Sequence, residues 1–511
     1  MDVIIIGSGI GGLSCAGLLA RYGFNVKVCE SHSIAGGAAH SFNYQGYKFD
    51  SGPSLYSGLS YSPSNNPLRQ VLDAVGEDCE WANYDTWGCF LPEGDFNTTV
   101  GAEQFCEVLL RLRGKEAVKE WKELQRVMAP YADAAIAIPS AAVRYDFGAV
   151  KTVGKFAPSL LKHIFNVSKL TGPFSSIMDE VVTDSFIRNW LNMLCFLLSG
   201  LPASGTSAAE VAFMFADWYR PNVKLDYPVG GAAALVDALV RGFEKHDGKL
   251  LLNSHVEEIL LENKRAVGVK LRGGKELRAD VVISNASVWD TLKLIPTDSV
   301  PQQFFDKRKA TPECESFMHL YLGIDAKDIK NISDLQCHYI YVEDWEKGIT
   351  APQNLVLISI PSVLDSSLAP PGKHSIHVYT PGSEPYDLWQ GMDRNSEEYL
   401  QQKQKRAEIM WKALEKIIPD IRSRCEVTLI GTPLTHERYL RRNRGSYGPA
   451  IRAGSSLFPG ASTPIKGLMC CGDSTFPGIG LPAVAASGMI AANTIASVDK
   501  HLEMLTEVVS S

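Results

Sequence analysis

No apolar stretch of the sequence reaches the ~20 residues that a bilayer-spanning helix requires; the nearest, Trp190 to Leu201, is about half that length and contains Asn192. A membrane span is therefore not expected. Basic charge is also short, the formal net charge being -7, which argues against a surface that neutralises nucleic-acid phosphates. The eleven cysteines are odd in number, scattered from Cys15 to Cys471, and form no Cys-x-x-Cys pair. Neither a disulfide framework nor a metal site is expected, and the adjacent Cys470 and Cys471 read as a buried strand end rather than a redox couple. Internal repeats and low-complexity tracts are missing. No signal or transit peptide is expected either, because the first strand begins at Val3, so any targeting segment would lie outside this chain.

What is present is a large apolar fraction, 45% of 511 residues, in a chain longer than one hydrophobic core usually serves. Two intimately joined domains follow. Val3 to Ile6 is a β-branched run that suits a buried parallel strand, Ile10 to Tyr22 a helix with Gly23 placed to cap it, and Asn25 to Cys29 a second strand, together one βαβ unit. Gly230 to Glu244 has a helical pattern and Lys249 to Leu252 a strand pattern. Val256 to Leu261 pairs with Ala266 to Leu271 across a turn near Asn263, and Val281 to Ser284 reads as a short buried strand. Leu468 to Cys471 is an apolar strand that runs into a glycine-rich loop and a helix from Pro482 to Val498.

Gly7-Ser8-Gly9-Ile10-Gly11-Gly12 fits the dinucleotide fingerprint G-x-G-x-x-G, and it sits where that fingerprint has meaning, between a buried strand and a helix. The helix N-terminus then faces the phosphates. Glu30 ends the second strand, in position to accept hydrogen bonds from ribose hydroxyls. Gly36-Gly37 follows with Ala38, Ala39 and His40, a spacing that resembles the E-x5-G-G-R signature of amine-oxidase-like flavoproteins with Ala38 in place of the arginine. That substitution leaves the phosphate charge to backbone amides and the helix dipole. Phe49-Asp50-Ser51-Gly52-Pro53 resembles the segment of that family that passes near the flavin ring.

At the other end, Cys471-Gly472-Asp473 leads through Gly478, Gly480, Leu481, Pro482 and Ala483 to Gly488. Asp473 suits a ribitol hydroxyl, and the amides around Gly480 to Ala483 suit negative charge on a reduced flavin. This tail resembles that of plant and cyanobacterial carotenoid isomerases, which are similar to bacterial phytoene desaturases and more distantly to retinol saturases. The resemblance extends over nearly the whole chain, through Tyr227-Pro228-Val229-Gly230-Gly231, Ile283-Ser284-Asn285-Ala286, Leu364-Asp365-Ser366-Ser367-Leu368-Ala369-Pro370, and Gly431-Thr432-Pro433 to Tyr447-Gly448-Pro449. It is least marked over ~115–225, where substrate contacts belong.

The resemblance implies an α/β fold, with a Rossmann-type FAD-binding domain of the glutathione reductase or amine oxidase kind and an inserted α+β substrate domain. The boundaries assign 1–95, 226–290 and 436–511 to FAD, and 96–225 and 291–435 to an apolar polyene substrate. It also implies FAD contacts from Ser31, Ser54, Val256 and Asn285. The implied reaction is redox-neutral cis–trans isomerisation of a carotenoid, with desaturation, saturation or hydration as alternatives and a non-enzymatic escort protein as a remote one. His40, Asp50 and His436 are candidate proton donors. The tunnel wall is sought in Phe186 to Leu201 and Val211 to Trp218. From Phe147 to Met178 the chain carries Lys151, Lys155, Lys162 and Lys169 and no acid, interleaved with Phe156, Leu160, Leu161, Ile164 and Phe165, a combination that suits an anionic membrane surface. The implied location is a plastid.

Overall fold

The computed structural model describes residues 1–162, 169–329 and 332–510. Its central element is a five-stranded, fully parallel sheet in the order Lys249–Leu251, Asn25–Cys29, Asp2–Ile6, Val281–Ser284, Leu468–Cys470. The five strands come from three stretches far apart in the sequence, 2–29, 249–284 and 468–470. Val3, Ile4 and Ile5 are almost completely buried, as a strand covered on both faces must be. The helices Ile10–Arg21 and Ala232–Glu244 pack on one face, and Leu481–Ile495 lies directly against the first of them.

Several sequence expectations shift by a residue or two for local reasons. Gly230 and Gly231 both take positive φ, so their helix begins at Ala232. Asn263 and Lys264 adopt φ of 49° and 61°, the two left-handed positions of a tight hairpin turn, and a third strand, Glu276–Arg278, extends that sheet. The terminal helix does not continue to Val498. It stops at Ile495, where Ala496 turns extended, and a separate helix Val498–Ser510 follows.

A second, mixed sheet of seven strands has the order Cys425–Gly431, Ser316–Asp325, Lys373–Glu384, Leu355–Ser359, His338–Val342, Thr86–Leu91, Gly94–Thr99. Its membership corrects the expected boundary after residue 95. Thr86–Leu91 pairs with His338–Val342 and with Gly94–Thr99, so that boundary cuts through a hairpin. The boundary after residue 435 likewise falls inside the helix Pro433–Leu440. Helices Lys115–Ala135, Ser185–Ser199 and Ala208–Trp218 cover one side of this sheet, and Phe105 joins Trp121 to Phe186 and Trp190 in the core between them. Among the described residues, no helix is long and apolar enough to cross a membrane. All eleven cysteines are free thiols.

Candidate functional site

Between the two sheets lies a cavity of ≈ 990 Å³, lined by both glycine-rich ends of the chain. Gly7, Gly9, Ile10 and Gly11 contribute from one end, and Gly472, Asp473, Gly480, Leu481 and Pro482 from the other. Asn285 stands where they meet. Its N–H donates to Ile6 O at 2.9 Å, its Nδ2 lies 3.5 Å from Gly7 O, and Cys471 Sγ approaches its Oδ1 at 3.6 Å. A methyl group on Gly11 would sit 2.8 Å from Asn285 Oδ1 and 3.1 Å from Gly472 Cα, so only a glycine there lets the two loops converge.

The cradle fits a dinucleotide. The helices Ile10–Arg21 and Leu481–Ile495 both begin at glycines that supply no side-chain cap, and both N-termini are at the cavity, leaving backbone N–H groups for anionic oxygens. Glu30 is held in place at the cavity. Its Oε2 accepts from Ser8 N–H at 2.8 Å and Ser8 Oγ at 2.7 Å, and its Oε1 from His32 N–H at 2.7 Å. With three of its four lone-pair sites taken, the carboxylate keeps one for a further hydroxyl donor. Ser31, Gly36, Gly37, Ala38, Ala39, Ser54 and Val256 also line the space. Gly37 is a close approach, since a Cβ there would meet Gly9 Cα at 3.1 Å. FAD bound here would have its adenosine beside Glu30 and Val256 and its ribitol beside Asp473.

Three expected cofactor residues do not line the cavity. Ser8 is buried and donates to Glu30; Gly12 is pressed against Gly7 O, which a Cβ would approach to 2.2 Å; Ala483 stays out of the lining that Leu481, Pro482 and Val484 contribute to. Asp473 is present but not free, for Arg442 Nη2 pairs with its Oδ2 at 2.5 Å.

The catalytic candidates divide. His40 and His436 line the cavity, and each has Nδ1 2.7 Å from a carbonyl oxygen, Gly37 O and Gly445 O respectively. With Nδ1–H donated, Nε2 is left as an acceptor. Burial holds both imidazoles below their ordinary pKa, His436 at about 4, so both are neutral near pH 7. Asp50 requires correction. It does not line the cavity but is fully buried, accepting from Ser41 Oγ at 2.6 Å, Tyr227 Oη at 2.7 Å and Ala232 N–H at 2.9 Å. Those three bonds tie the Ser41–Tyr44 hairpin to the start of the Ala232–Glu244 helix, a structural task.

The cavity wall includes groups that the sequence reading missed. Phe317 and His319 on one strand and Tyr379 on its neighbour face it. Behind them His319 Nδ1 and His377 Nε2 are 3.0 Å apart, and burial depresses both rings, His377 to about 3. The available signal was the alternation Phe317, His319, Tyr321 and His377, Tyr379, which gives each strand one ring-bearing face. Beyond this ring ladder an apolar arm is walled by Leu194, Leu197, Leu198, Phe213, Met214 and Leu357. Only part of each expected tunnel segment takes part, because Phe186 and Trp190 face the aromatic core instead. Glu210 is also on this arm. Its N–H donates to the Ser207 cap at 3.2 Å, and burial pushes its carboxyl up to about 7 against a smaller opposing effect of Ser207. The lining also holds a polar group in which Ser57, Tyr61 and Arg220 converge on Asp217.

Comparison with known proteins agrees with this arrangement. Residues 5–75 match the NAD(P)-binding Rossmann-like domain, and residues 120–496 match the flavin containing amine oxidoreductase family. A chloroplastic prolycopene isomerase of Daucus carota is 31% identical over 100% of this chain and 82% of its own length. A neurosporene-forming phytoene desaturase of Rhodobacter capsulatus is 24% identical, over 97% of this chain and 94% of its own. Among solved structures, cyclohexylamine oxidase of Brevibacterium oxydans superposes with a TM-score of 0.60 over 99% of both chains at 15% identity, a likeness of fold.

Proposed function

Because the chain belongs to the flavin containing amine oxidoreductase family, as a carotenoid isomerase-like flavoprotein, we propose that this FAD-dependent enzyme isomerises a cis carotenoid or similar polyene without net oxidation. The observation that carries the reading is the cavity itself, which leads from the dinucleotide cradle into an arm walled by aliphatic and aromatic side chains. A polyene offers no charge to grip, so an apolar arm with few polar groups is what its recognition calls for. The full-length similarity to prolycopene isomerase supports the choice of reaction.

Bound FAD supplies a redox-active ring that, when reduced, can share electron density with a conjugated chain and weaken its double bonds. The protein's own residues orient and exclude. Asn285 joins the two loops at the cofactor, Phe317 and Tyr379 present flat surfaces to a conjugated chain, and the apolar arm keeps water out. His40 and His436, neutral and each with Nε2 available, are the groups in position to hold or return a proton. The Phe147–Met178 stretch supports docking at a membrane in which such a substrate dissolves. Phe147, Val150 and Leu161 are 98%, 76% and 65% exposed beside the exposed Lys151, Lys155 and Lys162. Lys169 is paired with Glu180, and Ile164 and Phe165 lie outside the described residues. The chloroplastic relatives favour a plastid location.

The test is incubation with a poly-cis carotenoid, aerobically and with flavin reduced anaerobically, followed by chromatography and mass analysis. The expected product has unchanged mass and forms only when the flavin is reduced. Loss of two hydrogens would make the enzyme a desaturase, gain of two a saturase, and addition of water a hydratase.

A further inference from the structure

The second glycine loop, Gly36-Gly37-Ala38-Ala39, supplies no cationic side chain. The cavity nevertheless has four lysine or arginine side chains in its lining: Arg220, Lys293, Arg441 and Arg442. Three are neutralised, Arg220 by Asp217 at 3.1 Å, Lys293 by Asp290 at 2.9 Å and Arg442 by Asp473 at 2.5 Å. Among the described residues Arg441 alone of the four has no carboxylate within ion-pairing distance.

Its position is defined by its neighbours. Tyr439 packs edge-on against His32, with ring centroids 5.9 Å apart, two residues beyond Glu30. Burial first, then the nearby charges of Arg272 and Arg441, lower the pKa of His255, the residue next to Val256. Arg442 reaches Asp473. Four consecutive residues thus touch the adenosine side and the ribitol side of the cavity, so they form a strap across the stretch between them, where the diphosphate of a dinucleotide must run. The helix Pro433–Leu440 ends on Arg441 itself, at φ 53° and ψ 35°. A residue with a side chain adopts that conformation at an energetic cost, and such positions recur at ligand clamps.

We propose that Arg441 is a cofactor-binding residue, whose guanidinium would hold the FAD diphosphate and supply the positive charge that the loop at Ala38 lacks. A planar guanidinium pairs two donors with phosphate oxygens and remains charged at any working pH. The proposal rests on FAD as cofactor and is independent of the polyene reaction.

Release of flavin from the purified holoprotein, followed by recovery of flavin fluorescence on dilution, tests it. Arg441→Gln should release FAD about 10-fold faster or more, as loss of a charge-assisted bond to phosphate implies. Arg441→Lys, which keeps a point charge, should stay much nearer the wild type. Release from Arg441→Gln within about two-fold of wild type, a difference too small for a lost phosphate contact, overturns the proposal. So does equal release from the Lys and Gln variants. A wild-type protein without flavin absorbance would instead remove the cofactor premise itself.

Discussion

Glu210 is a carboxyl set among Leu197, Leu198, Phe213 and Met214 with no charged group opposing its burial. Its pKa of about 7 means that it is neutral on the acidic side of that value and charged on the basic side. A charge in an apolar arm disfavours a hydrocarbon there. The expected result is that kcat/KM for an apolar polyene falls as pH rises through about 7, and that Glu210→Gln flattens this limb of the profile. A variant with an unchanged pH profile would show that the carboxyl does not meet the substrate. Residue-scale reading of the sequence has most to work with where a side chain's partners are near neighbours, as Ser8 and His32 are for Glu30 and Gly37 for His40. It failed at Asp50, whose partners Tyr227 and Ala232 lie 177 and 182 positions away. An acid beside a flavin-type segment and an acid bolting a hairpin to a helix look identical until those partners are known. Arg442 went unassigned, because its pairing with Asp473 is likewise a product of folding.

At the scale of elements, the tightest constraint is the crossing of the Ile10–Arg21 and Leu481–Ile495 helices. A Cβ on Gly488 would lie 2.1 Å from Gly11 O and 3.0 Å from Cys15 N, both backbone atoms that cannot rotate away. Gly488→Ala should therefore separate the helices, costing about 1–3 kcal/mol or more of stability as overpacking does. The same displacement should lower flavin content, because Gly11 and Pro482 line the cavity from those two helices. Denaturant unfolding and the flavin-to-protein absorbance ratio read the two effects; a fully flavinated variant of normal stability would refute the coupling. The βαβ unit and the Val256–Glu262 hairpin were legible because their hydrogen-bonded partners are near in sequence and their turns carry glycine or asparagine. The seven-stranded sheet was not, since Thr86–Leu91 finds its partner at His338–Val342 and alternation alone does not say which strand lies alongside.

For the whole molecule, the exposed Phe147, Val150 and Leu161 beside lysines set a measurable expectation. Phe147→Asp with Val150→Asp should weaken binding to vesicles rich in anionic lipid by about 10-fold or more, as loss of two buried apolar side chains and gain of two like charges imply. Conversion of detergent-dispersed substrate should be unaffected, and sedimentation with vesicles equal to wild type would reject the docking face. Another consequence lies in the order in which the chain is made. The cofactor cradle draws on Gly7 to Ala39, then Val256, then Asn285, and is completed only by Gly472 to Pro482. During synthesis, four strands of the parallel sheet can already be assembled while the flavin still has only half a seat. Cofactor capture is therefore a late event, and a ribosome that stops early releases a protein that can look folded yet has nothing with which to do chemistry.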